Sequence, residues 1–455
     1  MPIKKLVGTD TNQLPRNKDL GPMAFQDLMS ITGGALANQI TNTTPARPSL
    51  LFDFANAKTV DSRLYFSRGS TASYVNSSGR IAYAALNQPR IDHDPTTLKC
   101  KGLLIEEART NLCTSSQDLG GAGAGVYNNW NAATISVDTA VAPDGTTTAD
   151  TFFAQSPTAT RHFTFSATAG TTYTFSMYIK RNPASNDTNL LNFGVAISWS
   201  NNGSTLTGYT SVSVNAHTLP QGVWTRVSTS YTCPAGAISM QMGPSNGGSG
   251  SAGDQLYSIF VWGCQIEAGS YPTSYIQTSG ATATRSADVA QVAWNGINSQ
   301  YSSVSGDYTL IFNFINTYNS GGNSPRILYS PNNSTFYAFN SISGQDAYGT
   351  FYGNGNSITA TGRKLGLEQK TAYTVYSLNS TTGGYYQSVA ANGQVQQSQS
   401  YQTPYGAFDL YNANYVQLGG GNVAGQGTAG VTWVTKFAYY PFRLSDAEIA
   451  EMTQI

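Results

Sequence analysis

The chain has 455 residues, 40% of them hydrophobic, with 24 Lys and Arg against 24 Asp and Glu. That length and apolar content supply two or three cores and exclude a disordered chain. Charged residues make up 11%, against roughly 25% in an ordinary soluble domain, and no Lys/Arg cluster appears, which excludes a protein that holds nucleic acid by its phosphates.

Residues 1–47 carry Pro and Gly breakers at short intervals, as in Leu14-Pro15-Arg16-Asn17 and Leu20-Gly21-Pro22. Such a segment buries no core of its own. Its apolar residues Leu20, Met23, Phe25 and Leu28 point to an anchor that orders against another subunit. No apolar run of secretory-signal length follows Met1-Pro2-Ile3-Lys4-Lys5, so no export signal is expected. No apolar stretch is long enough for a membrane helix either, and no membrane insertion is expected.

From Pro48 the pattern turns strand-like. Residues 48–112 read as a β-rich connecting region, with short strands at Ser49–Phe54, Arg63–Phe66 and Gly102–Ile105 between turn clusters such as Asn76-Ser77-Ser78-Gly79. Residues 113–280 form a second unit. Its strands include Thr171–Lys180, which alternates with period two, Gly222–Ser228 and Leu256–Trp262. Residues 281–455 form a third, opening with Tyr308–Phe314 and closing with Val431–Tyr440. A helix follows, because Ser445-Asp446-Ala447-Glu448 is a capping box before Ile449 and Met452. With 28 Tyr, 46 Gly and six Glu in the whole chain, the fold class is all-β: an extended N-terminal anchor followed by tandem β-sandwich domains.

Catalytic patterns are sparse. After residue 300 the glutamates are Glu368, Glu448 and Glu451, none at the spacing that brings two carboxylates across a glycosidic bond. Glu106-Glu107 is an adjacent pair, and strand neighbours face opposite ways. Pointing apart, they cannot converge on one bond. Asp92-His93-Asp94 before Pro95 reads as a turn with local hydrogen bonds, with a calcium site on Asp92 or Asp94 as the alternative. No other cofactor or metal is expected, and no enzyme activity. Cys100, Cys113, Cys233 and Cys264 lack metal-site spacing and are expected as buried free thiols. His162 and His217 read as packing or surface residues.

Sugar rings stack on exposed aromatic faces, which makes the aromatics the remaining candidates. Trp224, Trp262 and Trp433 lie in strand patterns and are expected in the core. Trp130 and Trp199 sit beside polar turns and are candidate ligand contacts. Tyr348 and Tyr385, in the tyrosine- and asparagine-rich stretches around Phe336–Tyr352 and Gly383–Tyr386, are the other two.

Three blocks carry a resemblance. Phe66-Ser67-Arg68-Gly69-Ser70-Thr71 through Pro89-Arg90-Ile91-Asp92 to Gly102-Leu103-Leu104-Ile105-Glu106-Glu107-Ala108-Arg109-Thr110-Asn111 resembles a block of bacteriophage tail-fibre and related virion proteins that precedes lectin-like modules. Leu14–Asn17 through Phe25–Asp27 resembles the virion-attachment ends of phage fibres, notably those of cyanophages. Residues 113–278, through Tyr173–Lys180, Trp224–Val227 and Val261–Glu267, resemble a jelly-roll carbohydrate-binding module. Residues 306–455, through Lys436–Ile449, resemble a concanavalin A-like, laminin-G-type sandwich. The resemblance implies that Glu106 and Glu107 are structural, pairing with Arg109 or Arg90, and that the chain is a virion structural protein made in the host cytoplasm and displayed on the particle. It implies a tail fibre, joined to other virion proteins by residues 1–47, trimeric by analogy, and contacting host surface polysaccharide. A capsid head fibre or decoration protein, and a depolymerising tailspike, are the alternatives.

Overall fold

The computed structural model describes residues 47–454 apart from 121–127, 131–132, 155–158, 184–192, 215, 247–256, 294–306, 318–325, 331–334, 341–346, 354–355, 364–366, 380–383, 402–414 and 420–430. The anchor residues Leu20, Met23, Phe25 and Leu28 lie outside them. Ser49–Ile455 is one compact unit. Its fold is all-β, as the composition requires: antiparallel sheets, one turn of helix at Phe54–Ala57 capped by Asp53, and the helix Asp446–Met452.

A central sandwich is built from contiguous chain. One five-stranded sheet orders Thr225–Thr232, Thr172–Arg181, Tyr257–Ala268, Ala149–Ala154 and Ala133–Ala140. The facing sheet orders Gly208–Ser213, Phe193–Ser200, Ser239–Asn246, Thr160–Ser166 and Asn128–Trp130. Inward residues of alternating strands, among them Phe152, Phe163, Phe175, Met177, Ile197 and Met242, fill its core.

The outer sandwich draws on chain from both sides of the central one. One of its sheets runs Gln394–Tyr401, Gly384–Ala391, Glu368–Asn379, Tyr308–Asn316, Thr432–Tyr440, Cys100–Ile105 and Ile91–His93, with Leu50–Asp53 also paired to Thr432–Tyr440. The other runs Leu64–Ser67, Val289–Ala293, Tyr415–Leu418, Arg326–Ser330, Thr335–Asn340, Ala347–Gly353 and Asn356–Arg363. Residues 48–112 therefore do more than connect. Leu50, Phe52, Phe54, Leu103 and Ile105 share one core with Leu310, Phe312, Phe314 and Phe437. The central sandwich is inserted into the outer one, and its two crossings pair as the ribbon Arg109–Asn111 with Ala283–Arg285.

The terminal helix has the capping box that its sequence predicts. The Ser445 hydroxyl accepts from the Glu448 N–H at 3.3 Å and the Glu448 carboxylate from the Ser445 N–H at 2.7 Å. All four cysteines are free thiols, three of them buried and Cys100 half-buried.

Behind the ribbon lies a fully buried ionic cluster. Asp288 accepts from Arg68 at 3.0 Å and also from Arg90. Arg90 reaches Glu106 at 2.7 Å, and Arg285 lies 3.3 Å from Glu106. Asp288 further accepts the Glu106 N–H at 2.9 Å. Glu107 turns the other way, to Arg109 and the Tyr271 hydroxyl. The opposed directions of the two glutamates, and their pairing with Arg90 and Arg109, were expected; the contact of Glu106 with Arg285 was not.

Candidate functional site

A cleft of about 820 Å³ opens where the central sandwich, the outer sandwich and the Ala72–Ala84 hairpin meet. That size lies within the range of small-ligand sites, roughly 300–1,000 Å³.

The outer sandwich supplies Asp92, Lys101, Leu104 and Trp433. Lys101 reaches the cleft through a bulge. Asp92 pairs with Gly102 and His93 with Cys100, so Lys101 is the extra residue and its side chain is re-aimed. Gly102 makes this possible at φ 97°, where a Cβ would collide with the Val434 carbonyl oxygen. The Lys101 ammonium then sits 3.2 Å from the centroid of the Trp433 ring. On the same strand Leu103 and Ile105 face the sandwich core, while Leu104 faces Tyr271, Val431 and Trp433.

The central sandwich supplies Tyr178, Lys180, Trp224 and Arg226. Lys180 lies 4.8 Å from the Trp224 ring centroid, and Arg226 lies 5.4 Å from that of Tyr178. The Trp224 indole N–H donates to the Val141 carbonyl at 3.0 Å. Arg226 donates to the Thr273 carbonyl at 2.5 Å and to the Ser176 hydroxyl at 2.9 Å. Val141 and Val223, 54% and 38% exposed, give the mouth an apolar rim.

The carboxylates of the wall are engaged by protein donors. Asp92 accepts from the Val75 N–H at 2.6 Å and from the Trp433 indole at 2.7 Å. Its burial raises its pKa, opposed by Lys101 and those bonds. Burial works to raise the Glu106 carboxyl as well, but Arg285, Arg90 and the Ser274 bonds outweigh it and lower it to about 2. Lys101 and Lys180 are both pushed down by burial. Asp94 makes the expected turn, accepting from the Thr96 and Thr97 N–H groups at 3.0 and 2.7 Å. Among the described residues no group of three His, Cys, Asp or Glu side chains is placed to hold a metal ion.

The aromatics divide differently from the sequence expectation. Trp262 is fully buried against Tyr178 and Tyr275, as expected. Trp224 is half-buried and lines the cleft, because its strand begins at Thr225, after the Pro220–Gly222 turn. Trp433, 8% exposed, is buried with Leu104, Tyr271 and Val431 as expected, and also lines the cleft from the other side. Trp199 stacks on Tyr231 at 5.5 Å and lies against Gly208, within the central sandwich and away from the cleft. Trp130 stands on the strand Asn128–Trp130, Tyr348 on Ala347–Gly353 and Tyr385 on Gly384–Ala391. The side chains of those three lie outside the described residues. The position of Trp224 two residues after the Pro220-Gln221-Gly222 turn was a legible signal of exposure. Nothing local marked Lys101 or Trp433.

No family model and no curated protein matches this chain. Solved structures similar to parts of it are carbohydrate-binding and sandwich domains. The CBM40 of Ruminococcus gnavus IT-sialidase, solved with alpha2,3 sialyllactose, is 14% identical over 35% of this chain and 88% of its own, with a TM-score of 0.27. A SAP-like pentraxin from Limulus polyphemus is 10% identical over 32% and 69%, with a TM-score of 0.24. The botulinum neurotoxin serotype D/C VPI 5993 binding domain is 12% identical over 37% and 40%, with a TM-score of 0.26. Likeness at this level assigns no ligand, and the functional reading rests on the cleft itself and on the sequence.

Proposed function

We propose that this chain is a non-catalytic appendage protein of a bacteriophage particle, a tail fibre, whose cleft between the sandwiches holds a saccharide of the host surface. The observation that carries the binding role is the wall of Trp224, Tyr178, Trp433 and Tyr271, in a cleft that also holds Lys101, Lys180 and Arg226. Flat apolar ring faces beside hydrogen-bonding groups suit a sugar, which presents C–H patches and hydroxyls together. The non-catalytic part is supported by the engagement of Asp92 and Glu106 with protein donors. A general acid has to carry a transferable proton near neutral pH, and Glu106 is held ionised. The virion part rests on the sequence resemblance of Phe66–Asn111 and of residues 1–47, through which other virion proteins hold a homotrimer. Three copies make weak single contacts effective by avidity.

The test is binding of the full chain, trimerised if needed, to host cells and extracted surface polysaccharide. Trp224→Ala should weaken binding about tenfold, on the order of 1–2 kcal/mol for one stacking aromatic, with the melting temperature lowered by only a few degrees, about what losing its Val141 bond and partial packing costs. Wild-type binding by both Trp224→Ala and Lys101→Gln would remove the cleft from consideration. Deleting residues 1–47 should leave a folded protein that no longer enters particles, and incorporation of that deletion would overturn the anchor.

A further inference from the structure

The charges of the cleft do not balance. Arg80, Lys101, Lys180 and Arg226 line it, against the carboxylates of Asp92 and Glu106. Glu106 belongs to the buried cluster behind the wall, where Arg68, Arg90 and Arg285 face Glu106 and Asp288, three positive charges against two. With Glu106 assigned to that cluster, four cations of the wall face Asp92. Asp94 and Asp144 stand nearby, but their carboxylates are turned to Thr96 and Thr97 and to Thr146. Counting both still leaves an excess of positive charge, in a chain whose net charge is zero.

The two lysines are held in an unusual way. Neither Lys101 nor Lys180 is in an ion pair among the described residues; each rests on a tryptophan ring, Lys101 on Trp433 and Lys180 on Trp224. A ring face steadies an ammonium group without neutralising it. Burial lowers the pKa of both; at Lys101 the charges of Asp92, Asp94 and Glu106 oppose that shift, and at Lys180 burial is the one cause. The mouth therefore presents two ammonium groups, each beside an aromatic plane and each able to gain an anion.

Building on the saccharide reading, we infer that the ligand of this cleft is an acidic saccharide, which packs a sugar ring against the half-buried Trp224 while its carboxylates meet Lys101 and Lys180. A neutral sugar would leave both ammonium groups as unpaired as they are now. A nucleic acid would demand phosphate contacts along an extended basic track, and the chain has no such Lys/Arg run.

The experiment presents the full chain with acidic bacterial polysaccharides, each beside its own carboxyl-reduced form. Affinity is read at about 0.05 and 0.5 M salt, and single-stranded DNA serves as the competitor. At least one acidic polysaccharide should bind, with carboxyl reduction costing about tenfold and high salt a similar factor. Lys180→Gln and Lys101→Gln should each weaken the acidic form several-fold while leaving the reduced form unchanged; Trp224→Ala should weaken both forms. Lys180 is half-buried at the surface, so Lys180→Gln tests the idea even if Lys101→Gln perturbs the fold. Equal binding of acidic and reduced forms overturns this inference and leaves the saccharide reading standing. Binding of none of them by a folded, trimerised chain overturns both. Displacement by DNA at equal charge concentration would show general polyanion capture and overturn the acidic-saccharide assignment.

Discussion

Asp288→Asn should destabilise the outer sandwich by about 3–5 kcal/mol, the usual consequence of removing one partner from a buried ion pair. Asp288 serves three donors at once: Arg68, Arg90 and the Glu106 N–H. Its side chain and those of Arg68, Arg90 and Glu106 are all 0% exposed. Without its charge three guanidinium groups share Glu106, and water cannot reach them. An asparagine keeps the shape but turns an NH2 donor toward N–H groups that cannot accept from it. If about 400 residues unfold together, unfolding entropy near 0.8 kcal/mol per degree converts that loss to roughly 4–6 °C in melting temperature. Scanning calorimetry reads the shift, and urea unfolding reads the free energy. Adding Arg68→Met should cost less than the sum of the two single changes by about 1–2 kcal/mol, because the second change removes an orphaned charge. A single-variant loss under about 1 kcal/mol, or strict additivity, would refute the view that these charges act as one unit.

Acid should act through two groups. His162 is 4% exposed, and burial, followed by the charge of Arg161, lowers its pKa to about 4. Its neutral form is the folded one, so stability is present above about pH 6.5 and is lost as pH falls toward 4, by up to about 3 kcal/mol; His162→Gln should flatten that stretch of the melting-temperature profile, and an unchanged profile would rule His162 out as the cause. Glu106, lowered to about 2, adds stability that persists above about pH 4.5 and disappears between there and pH 2, a second descent to be seen in the same titration. Ser445→Ala should cost about 1 kcal/mol by removing the helix cap, measured by urea unfolding against Glu448→Ala. Chelation with EDTA should leave the melting temperature within about 2 °C, well below the shift expected from a lost structural ion, since Asp92 and Asp94 already have protein donors.

Local order was legible where local chemistry determines it. The period-two run Tyr173–Lys180 is a strand with Tyr173, Phe175, Met177 and Ile179 inward, and the capping box starts the terminal helix. The Glu106–Arg90 and Glu107–Arg109 pairs match what the resemblance of Gly102–Asn111 implied. What sequence reading missed is long-range. Leu50–Asp53 pairs with Lys436–Tyr439, and nothing in either run names the other, since any apolar strand edge offers the same backbone groups. Asp288 carried no signal because its partners lie far away in sequence. Trp433 is core, as its strand pattern indicates, packed with Leu104, Tyr271 and Val431; what the sequence did not show is that Lys101 and Asp92 also meet it at a cleft wall.

The insertion of one sandwich into the other sets an order of events on the ribosome. The central sandwich is contiguous, so all its strands have emerged by Ala268 and it can close while synthesis continues. The outer sandwich cannot. Leu50, Phe52, Leu103 and Ile105 emerge among the earliest strands, yet their partner strand Thr432–Tyr440 is among the last. For most of translation these apolar edges wait unpaired, exposed to neighbouring chains. A chain stopped before Thr432 would therefore carry one finished sandwich and one permanently open sheet, soluble at its centre and adhesive at its edge.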